Sequence, residues 1–392
     1  MNTSAVQNYS KASFKAAVLS LSLLTIMSGA GVAPGIHKIA EAFPETPTTL
    51  IKLIVALPPL MMIPAALLSG ILGQRLRQRK ALILCGLVLF VLGGVGAAAM
   101  PTFGGILCFR AILGVGTGII LPFSTGLIVA CFQNAERTKM MGYSSAVNCL
   151  GAIIGNILAG ILAAVNWRFM FHIYWLGVPV FLCVIFLLKP LPEVSSAAVS
   201  RRKLPGSVYL YSFLAFLTMA VFFLVIANLS IFVESRGLGS SRTTGFLFAL
   251  NSLVMLLAGI SLQKILRLKK FFLPSILLCL AVGLLDIALS HSLMMMIAGI
   301  TLAGWGLGLL FPSVLTRISK GIPQELSVKA MSIGMASAWF GQFASPLLSG
   351  GLARGIGWKM DSVFLLISAM LMILGGISLA REFRKPNSAD KN

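Results

Sequence analysis

The sequence predicts an all-α membrane protein of twelve transmembrane helices arranged as two six-helix pseudo-repeats. Three observations predict it: apolar runs of spanning length, basic residues gathered on alternate sides of those runs, and landmarks that recur at a nearly constant offset. Of 392 residues, 58% are hydrophobic and only 10% are charged, and mean hydropathy is +0.96. A soluble domain carries about 25% charged residues, so little of this chain is built to face water. Each apolar run approaches the roughly 20 residues a helix needs to cross the hydrocarbon. The runs are too long and continuous for barrel strands, the other structure that satisfies its backbone within lipid.

The runs place spans near 14–36, 49–72, 81–100, 105–132, 141–164, 169–188, 209–233, 244–262, 271–290, 293–316, 329–353 and 360–380. The first, with Lys11 and Lys15 in front and Ser28-Gly29-Ala30 inside, has the outline of a secretory signal. Its apolar character continues past the small residues, so it is expected to remain as the first helix. Very short turns join the third to the fourth span and the ninth to the tenth, making them antiparallel neighbours. Residues 189–208, with Pro190, Pro192 and Arg201-Arg202-Lys203, are the one long polar interval. They are expected to be a cytoplasmic linker between residues 1–188 and 209–392.

The formal net charge of +21 would suggest nucleic acid in a soluble protein. Here it reads as topology, and no nucleic-acid partner is expected. With the N-terminus inside, 23 of the 31 Lys and Arg fall on the cytoplasmic side, seven (Lys38, Lys52, Arg168, Arg236, Arg242, Arg354, Lys359) fall outside, and Arg110 is left within a helix. Loops rich in Lys and Arg resist translocation. The expectation is therefore a multi-pass protein of the cell membrane, surrounded by lipid, with both termini cytoplasmic. An even number of spans follows.

The repeat is explicit. Gly70–Lys80 aligns with Gly259–Lys270 at a shift of 189, and Gly114-Val-Gly116-Thr-Gly118 through Pro122 aligns with Gly304-Trp-Gly306-Leu-Gly308 through Pro312 at 190. Gly151 and Gly160 match Gly341 and Gly350 at 190, and Trp167-Arg168 matches Trp358-Lys359 at 191. An even number of spans per copy gives both copies one orientation, as in a parallel duplication.

Three stretches carry chemistry beyond packing. After the second span comes Gly70-Ile-Leu-Gly-Gln74-Arg75-Leu-Arg-Gln-Arg79-Lys80; in the fourth lies Arg110-Ala-Ile-Leu-Gly114-Val-Gly116; in the fifth, Gly151, Gly155-Asn156 and Gly160 recur at four- and five-residue spacing. On these motifs the chain resembles the twelve-helix drug:proton antiporter branch of the major facilitator superfamily. Gln74 stands where that family's loop has an acid and Asn156 where its fifth-helix signature has a proline. The repeat copy keeps Pro346, after Gly341. The resemblance implies transport of a small molecule by alternating access, export coupled to protons, a conformational role for the loop and glycine motifs, and a link of Arg110 to coupling and binding.

The residues themselves leave alternatives. An arginine in an apolar helix either snorkels to the interface or faces a wet cavity or a partner; the motif favours the second, so Arg110 is expected to be needed for transport rather than folding. Small residues at the spacing of Gly151 and Gly155 also suit plain close packing. Asn148, Asn228, Asn251 and Gln342, with Trp305 and Trp339 as apolar walls, are candidates for a mid-membrane cavity, but an amide there can equally bond a neighbouring helix. Acids are scarce: Asp286 lies within the ninth span and Glu234 closes the seventh, and these are the candidate proton carriers. Three scattered histidines (His37, His172, His291), no Gly-Lys-Ser/Thr phosphate loop and no metal-ligand spacing point away from an enzyme and from any cofactor. A transporter that acts as a monomer is expected; an uptake symporter or facilitator is the alternative of the same fold, and a membrane-embedded enzyme or receptor the alternative of another class.

Overall fold

A computed structural model describes residues 12–188 and 204–384, other than 26, 76–78, 267–270, 321, 323, 356 and 358. Every element in them is helical. Most of the expected linker (189–203) and Trp358 of the last repeat landmark lie outside the described residues. We label the twelve passages by their main helices: α1 Ala12–Thr25, α2 Leu53–Arg75, α3 Arg79–Val95, α4 Phe103–Cys131, α5 Asn134–Val165, α6 Gly177–Leu187, α7 Gly206–Ser235, α8 Ser241–Ile265, α9 Phe272–Leu289, α10 Leu293–Ser319, α11 Gln324–Gly355 and α12 Met360–Arg384. Ten of the described stretches are long and apolar enough to cross a membrane, all except the α1 passage and α11.

Those two depart for readable reasons. In the first passage residues 12–25 and 27–30 are helical, and after a turn at Gly31–Val32 come a 3-10 turn at Ala33–Gly35 and a helix at Ile36–Ala42. Gly31 and Pro34 fall in the divided part, where a residue without a side chain and one without an N–H both weaken a helix. In α11 the mixture of Ser, Gly, Gln and Lys dilutes the apolar run. The sixth passage also opens with a 3-10 segment, Trp167–Leu176, which Asn166 starts by accepting a hydrogen bond from the Arg168 amide.

Sequence-encoded caps set several other helix starts. Thr102 accepts from the Gly105 amide ahead of α4, and Ser292 accepts from the Met295 amide ahead of α10. Ser240 and Thr243 form a reciprocal capping box ahead of α8. Gly237, at φ 68°, closes α7 in a conformation that favours glycine.

Packing follows the repeat. A Cβ at Gly114 would lie 2.6 Å from the Pro58 carbonyl on α2, and one at Gly304 would lie 2.6 Å from Asn251 Oδ1 on α8. Gly116 meets α3 at Phe90, and Gly306 meets α9 at Leu280. Gly151 meets α1 at Leu23, and Gly341 meets α7 at Phe216. Equivalent glycines thus let equivalent helices approach to backbone contact. The first six passages meet the last six chiefly where α5 packs on α8 and α2 on α11.

Candidate functional site

A cavity of about 470 Å³ lies between the two sets of six passages. Its wall draws Met27 and Ser28 from the first passage, Pro59 and Met62 from α2, Asn148, Cys149 and Asn156 from α5, Met219 and Phe223 from α7, Asn251 and Met255 from α8, and Trp339 and Gln342 from α11. No Asp, Glu, Lys, Arg or His is among the described residues that line it. Of the residues singled out in the sequence, Asn148, Asn251, Trp339, Gln342, Gly155 and Asn156 converge here. Asn228 and Trp305 do not. Asn228 lies in a seam described below, and Trp305 packs outside the cavity against the cluster of Ala258, Phe272, Ile276 and Leu309.

Two amides of the wall are only lightly engaged. Asn148 donates to the Ser22 carbonyl at 3.2 Å; Asn251 and Gln342 reach only the sulfurs of Met255 (3.7 Å) and Met219 (3.4 Å). A thioether is a weak acceptor, so these two amides can exchange it for a ligand at little cost. The flexible methionines beside them can repack around guests of different shape.

Arg110 is neither at the interface nor in the cavity. It is fully buried within the first six passages. Its Nε donates to the Ile54 carbonyl on α2 at 2.7 Å, Nη1 to the Tyr174 hydroxyl at 2.7 Å, and Nη2 to the Ser28 carbonyl at 2.5 Å. Tyr174 in turn donates to the Met27 carbonyl at 3.1 Å and offers its ring to the guanidinium. Arg110 and Tyr174 therefore hold the divided first passage at Met27–Ser28, where that passage lines the cavity. Tyr174 was not singled out in the sequence: nothing local distinguishes it from an interfacial aromatic.

At one end the two sets are stitched together. The His37 amide donates to Ser230 Oγ at 3.3 Å, and Ser230 Oγ donates to the Pro34 carbonyl at 2.8 Å. Glu234, with a side chain 7% exposed, accepts from Ser241 Oγ at 2.7 Å and stands 3.8 Å from the Lys38 ammonium across the junction. Lys38 also bonds Glu41, which raises the Lys38 ammonium above its ordinary range and lowers the Glu41 carboxyl. Lys52 donates to Asn228 Oδ1 at 2.6 Å. Backbone contact completes the seal, because a Cβ at Gly160 would sit 2.7 Å from the Ser241 carbonyl and 2.8 Å from Gly245 Cα.

Glu234 is thus built into the junction, whereas Asp286 is not. Asp286 packs beside Gly299 within the last six passages, partly buried, and does not line the cavity. Among the motif residues, Gly114, Gly151 and Gly155 face neighbouring helices, while a Cβ at Gly70 would meet nothing within 4 Å. Pro346 is buried in the middle of α11. The side chains of Gln74 and Arg75 lie outside the description.

Residues 18–289 match the family model described as Major Facilitator Superfamily. Over 160 residues the chain is 29% identical to the quinolone resistance protein NorA of Staphylococcus aureus (strain MRSA252), covering 41% of each protein. Over 96 residues it is 33% identical to multidrug resistance protein 3 of Bacillus subtilis (strain 168), covering 24% of this chain and 19% of that protein. The chain thus spans well under half the length of both. Among solved structures it resembles the D-xylose–proton symporter at a TM-score of 0.73 and 16% identity, over 93% of this chain and 96% of the other. It also resembles an inward-facing, occupied bacterial homolog of the human lysosomal transporter Spinster at 0.72 and 16%, over 95% and 98%. At such identities the likeness is one of fold.

Proposed function

The chain belongs to the major facilitator superfamily, and from that premise we propose that it is a secondary active transporter that exports an uncharged or lipophilic small molecule in exchange for protons. Residues 1–188 and 209–392 serve as the two bodies that rock about the central cavity, in a transporter that works as a single chain. The observation that carries the reading is the cavity itself: about 470 Å³, shared by both bodies, without a charged group among its described lining, and walled by methionine, aromatic and loosely bonded amide side chains. Such a wall rewards apolar area with a few adaptable hydrogen bonds. Efflux rather than uptake is favoured by the partial similarity to proteins named for quinolone and multidrug resistance.

The distribution of basic residues supports an orientation with the stitched end outside. The protein would then be open inward, and outward opening requires breaking the Lys38–Glu234 and Lys52–Asn228 ties. Glu234 is the carboxylate whose surroundings change most in that step, from a side chain held by Ser241 and Lys38 to one bathed in external water. Of the two candidate acids it is the one at the seam, and it is the proposed proton carrier.

The test uses inverted membrane vesicles and a panel of lipophilic drugs that includes quinolones. An imposed pH gradient, acidic inside the vesicle, is expected to drive accumulation, and collapsing it with a protonophore to abolish accumulation. Accumulation that survives the protonophore would overturn proton coupling; movement only in the opposite direction would replace export with uptake.

A further inference from the structure

Beside the seam lies a second cavity, of about 270 Å³, bounded by Thr48, Thr49 and Lys52 from the first six passages and by Asn228 and Arg354 from the last six. The remaining lining is apolar or glycine, and no acid is among the described residues that bound it. Lys52 is only 3% exposed. Its ammonium has three donors and, among the described residues, uses one, toward Asn228 Oδ1; the Asn228 amide nitrogen donates to the Leu224 carbonyl. Of the acids nearest along the chain, Glu45 is exposed and does not bound the cavity, Asp361 accepts from Arg236 at 2.6 Å, and Glu234 is held by Ser241 and Lys38. A cation withdrawn from water is unfavourable unless a counter-charge and hydrogen bonds compensate it, and among the described residues Lys52 is supplied with an amide oxygen alone.

We propose that this cavity binds a small oxyanion, a carboxylate or phosphate group, held by the Lys52 ammonium and the Arg354 guanidinium with the Thr48 and Thr49 hydroxyls as further donors. The donor set fits the class: a point charge, a planar fork that bonds two oxygens at once, and neutral hydroxyls. The site is separate from the central cavity and independent of what the protein carries. Because its donors come from both sets of six passages, it is complete only while this end is sealed. An anion bound there favours the sealed state by its differential affinity for it. The same oxyanion chemistry is offered by free phosphate and by the headgroup of an anionic lipid.

The test is thermal melting of the purified full-length protein in an uncharged detergent, titrated with inorganic phosphate and, separately, with phosphatidylglycerol. Phosphate is expected to raise the wild-type Tm along a saturable curve, as linkage requires. Lys52→Met, which replaces the cation by an apolar chain of similar length, should melt at or above the wild type without phosphate and gain nothing from it. Arg354→Gln alters only an exposed side chain and should weaken the midpoint about tenfold, the scale of one charged hydrogen bond. If Lys52→Met fails to fold, Arg354→Gln alone decides. A rise produced by phosphatidylglycerol and not by phosphate, and lost in the variants, would assign the site to a lipid headgroup. No rise with either probe in the wild type, or a rise of equal size in the variants, overturns the proposal and leaves Lys52 as a tie to Asn228 across the seam.

Discussion

Arg110 changes meaning between sequence and structure. A lone arginine in an apolar helix suggests a group waiting for substrate or proton, yet here all three nitrogens are spent on Ile54, Ser28 and Tyr174. Removing it strands two buried carbonyls and empties a large volume. Arg110→Ala is expected to lose about 3 kcal/mol or more, seen as a fall in Tm and in detergent-extracted yield, alongside any loss of flux. Arg110→Lys should rescue little, since a point charge cannot span three partners set around a planar fork. A stable, well-expressed Arg110→Ala that no longer transports would restore a purely functional role. The two acids separate in the same way. Glu234→Gln is expected to abolish gradient-driven accumulation while sparing downhill exchange, and Asp286→Asn to leave both near wild type. Loss of coupling in Asp286→Asn alone would move the proton carrier away from the seam.

At the scale of elements, the glycines are the parts most directly testable. Gly160 on α5 and Gly245 on α8 meet backbone to backbone at the sealed end. Gly160→Val cannot be accommodated without separating these helices, and overpacking of this kind costs about 1–3 kcal/mol. The variant is expected to shift the equilibrium toward opening at that end, read as faster labelling of a cysteine placed at Ser230. Gly70→Ala provides the contrast: its side chain would meet nothing, and Ala is the better helix former by up to ~1 kcal/mol. A fall in Tm for Gly70→Ala would show that the loop motif needs its glycine for something other than space. The divided first passage belongs to this scale too. At Met27–Ser28 it is held by side chains of α4 and the sixth passage.

For the whole molecule, orientation decides what the sealed end means. In a cysteine-free background, a single cysteine at Ser240 is expected to react with an impermeant reagent in intact cells, and one at Ser196 only after lysis. The reverse pattern would turn the stitched end inward and make the open cavity face outside. Coupling at this scale is a population shift: the seam's polar ties and the α5–α8 contact must together outweigh the hydration gained on opening, and a ligand moves that balance only by binding one state better.

Composition, periodicity and charge were enough to determine the membrane class, the order of passages, most boundaries and the repeat, because each is a local property of the chain responding to lipid or water. The glycine spacings of α4 and α10 were equally legible, since helices that touch closely need small residues at the contact. The cavity was half legible. Asn148, Asn251, Trp339 and Gln342 could be nominated as polar or aromatic residues at mid-span, but Asn228 and Trp305 share those marks and point elsewhere. Rotation about the helix axis separates the two groups, and in helices apolar on every side no periodicity records it. Lys52, Tyr174 and Ser230 escaped notice for a related reason: a lysine at a helix start, a tyrosine near an interface and a serine in a span are ordinary until a residue more than a hundred positions away becomes their partner. Which polar groups meet is settled only when the helices pack, because the lipid-free interior leaves each buried donor no acceptor but the one the neighbouring helix presents.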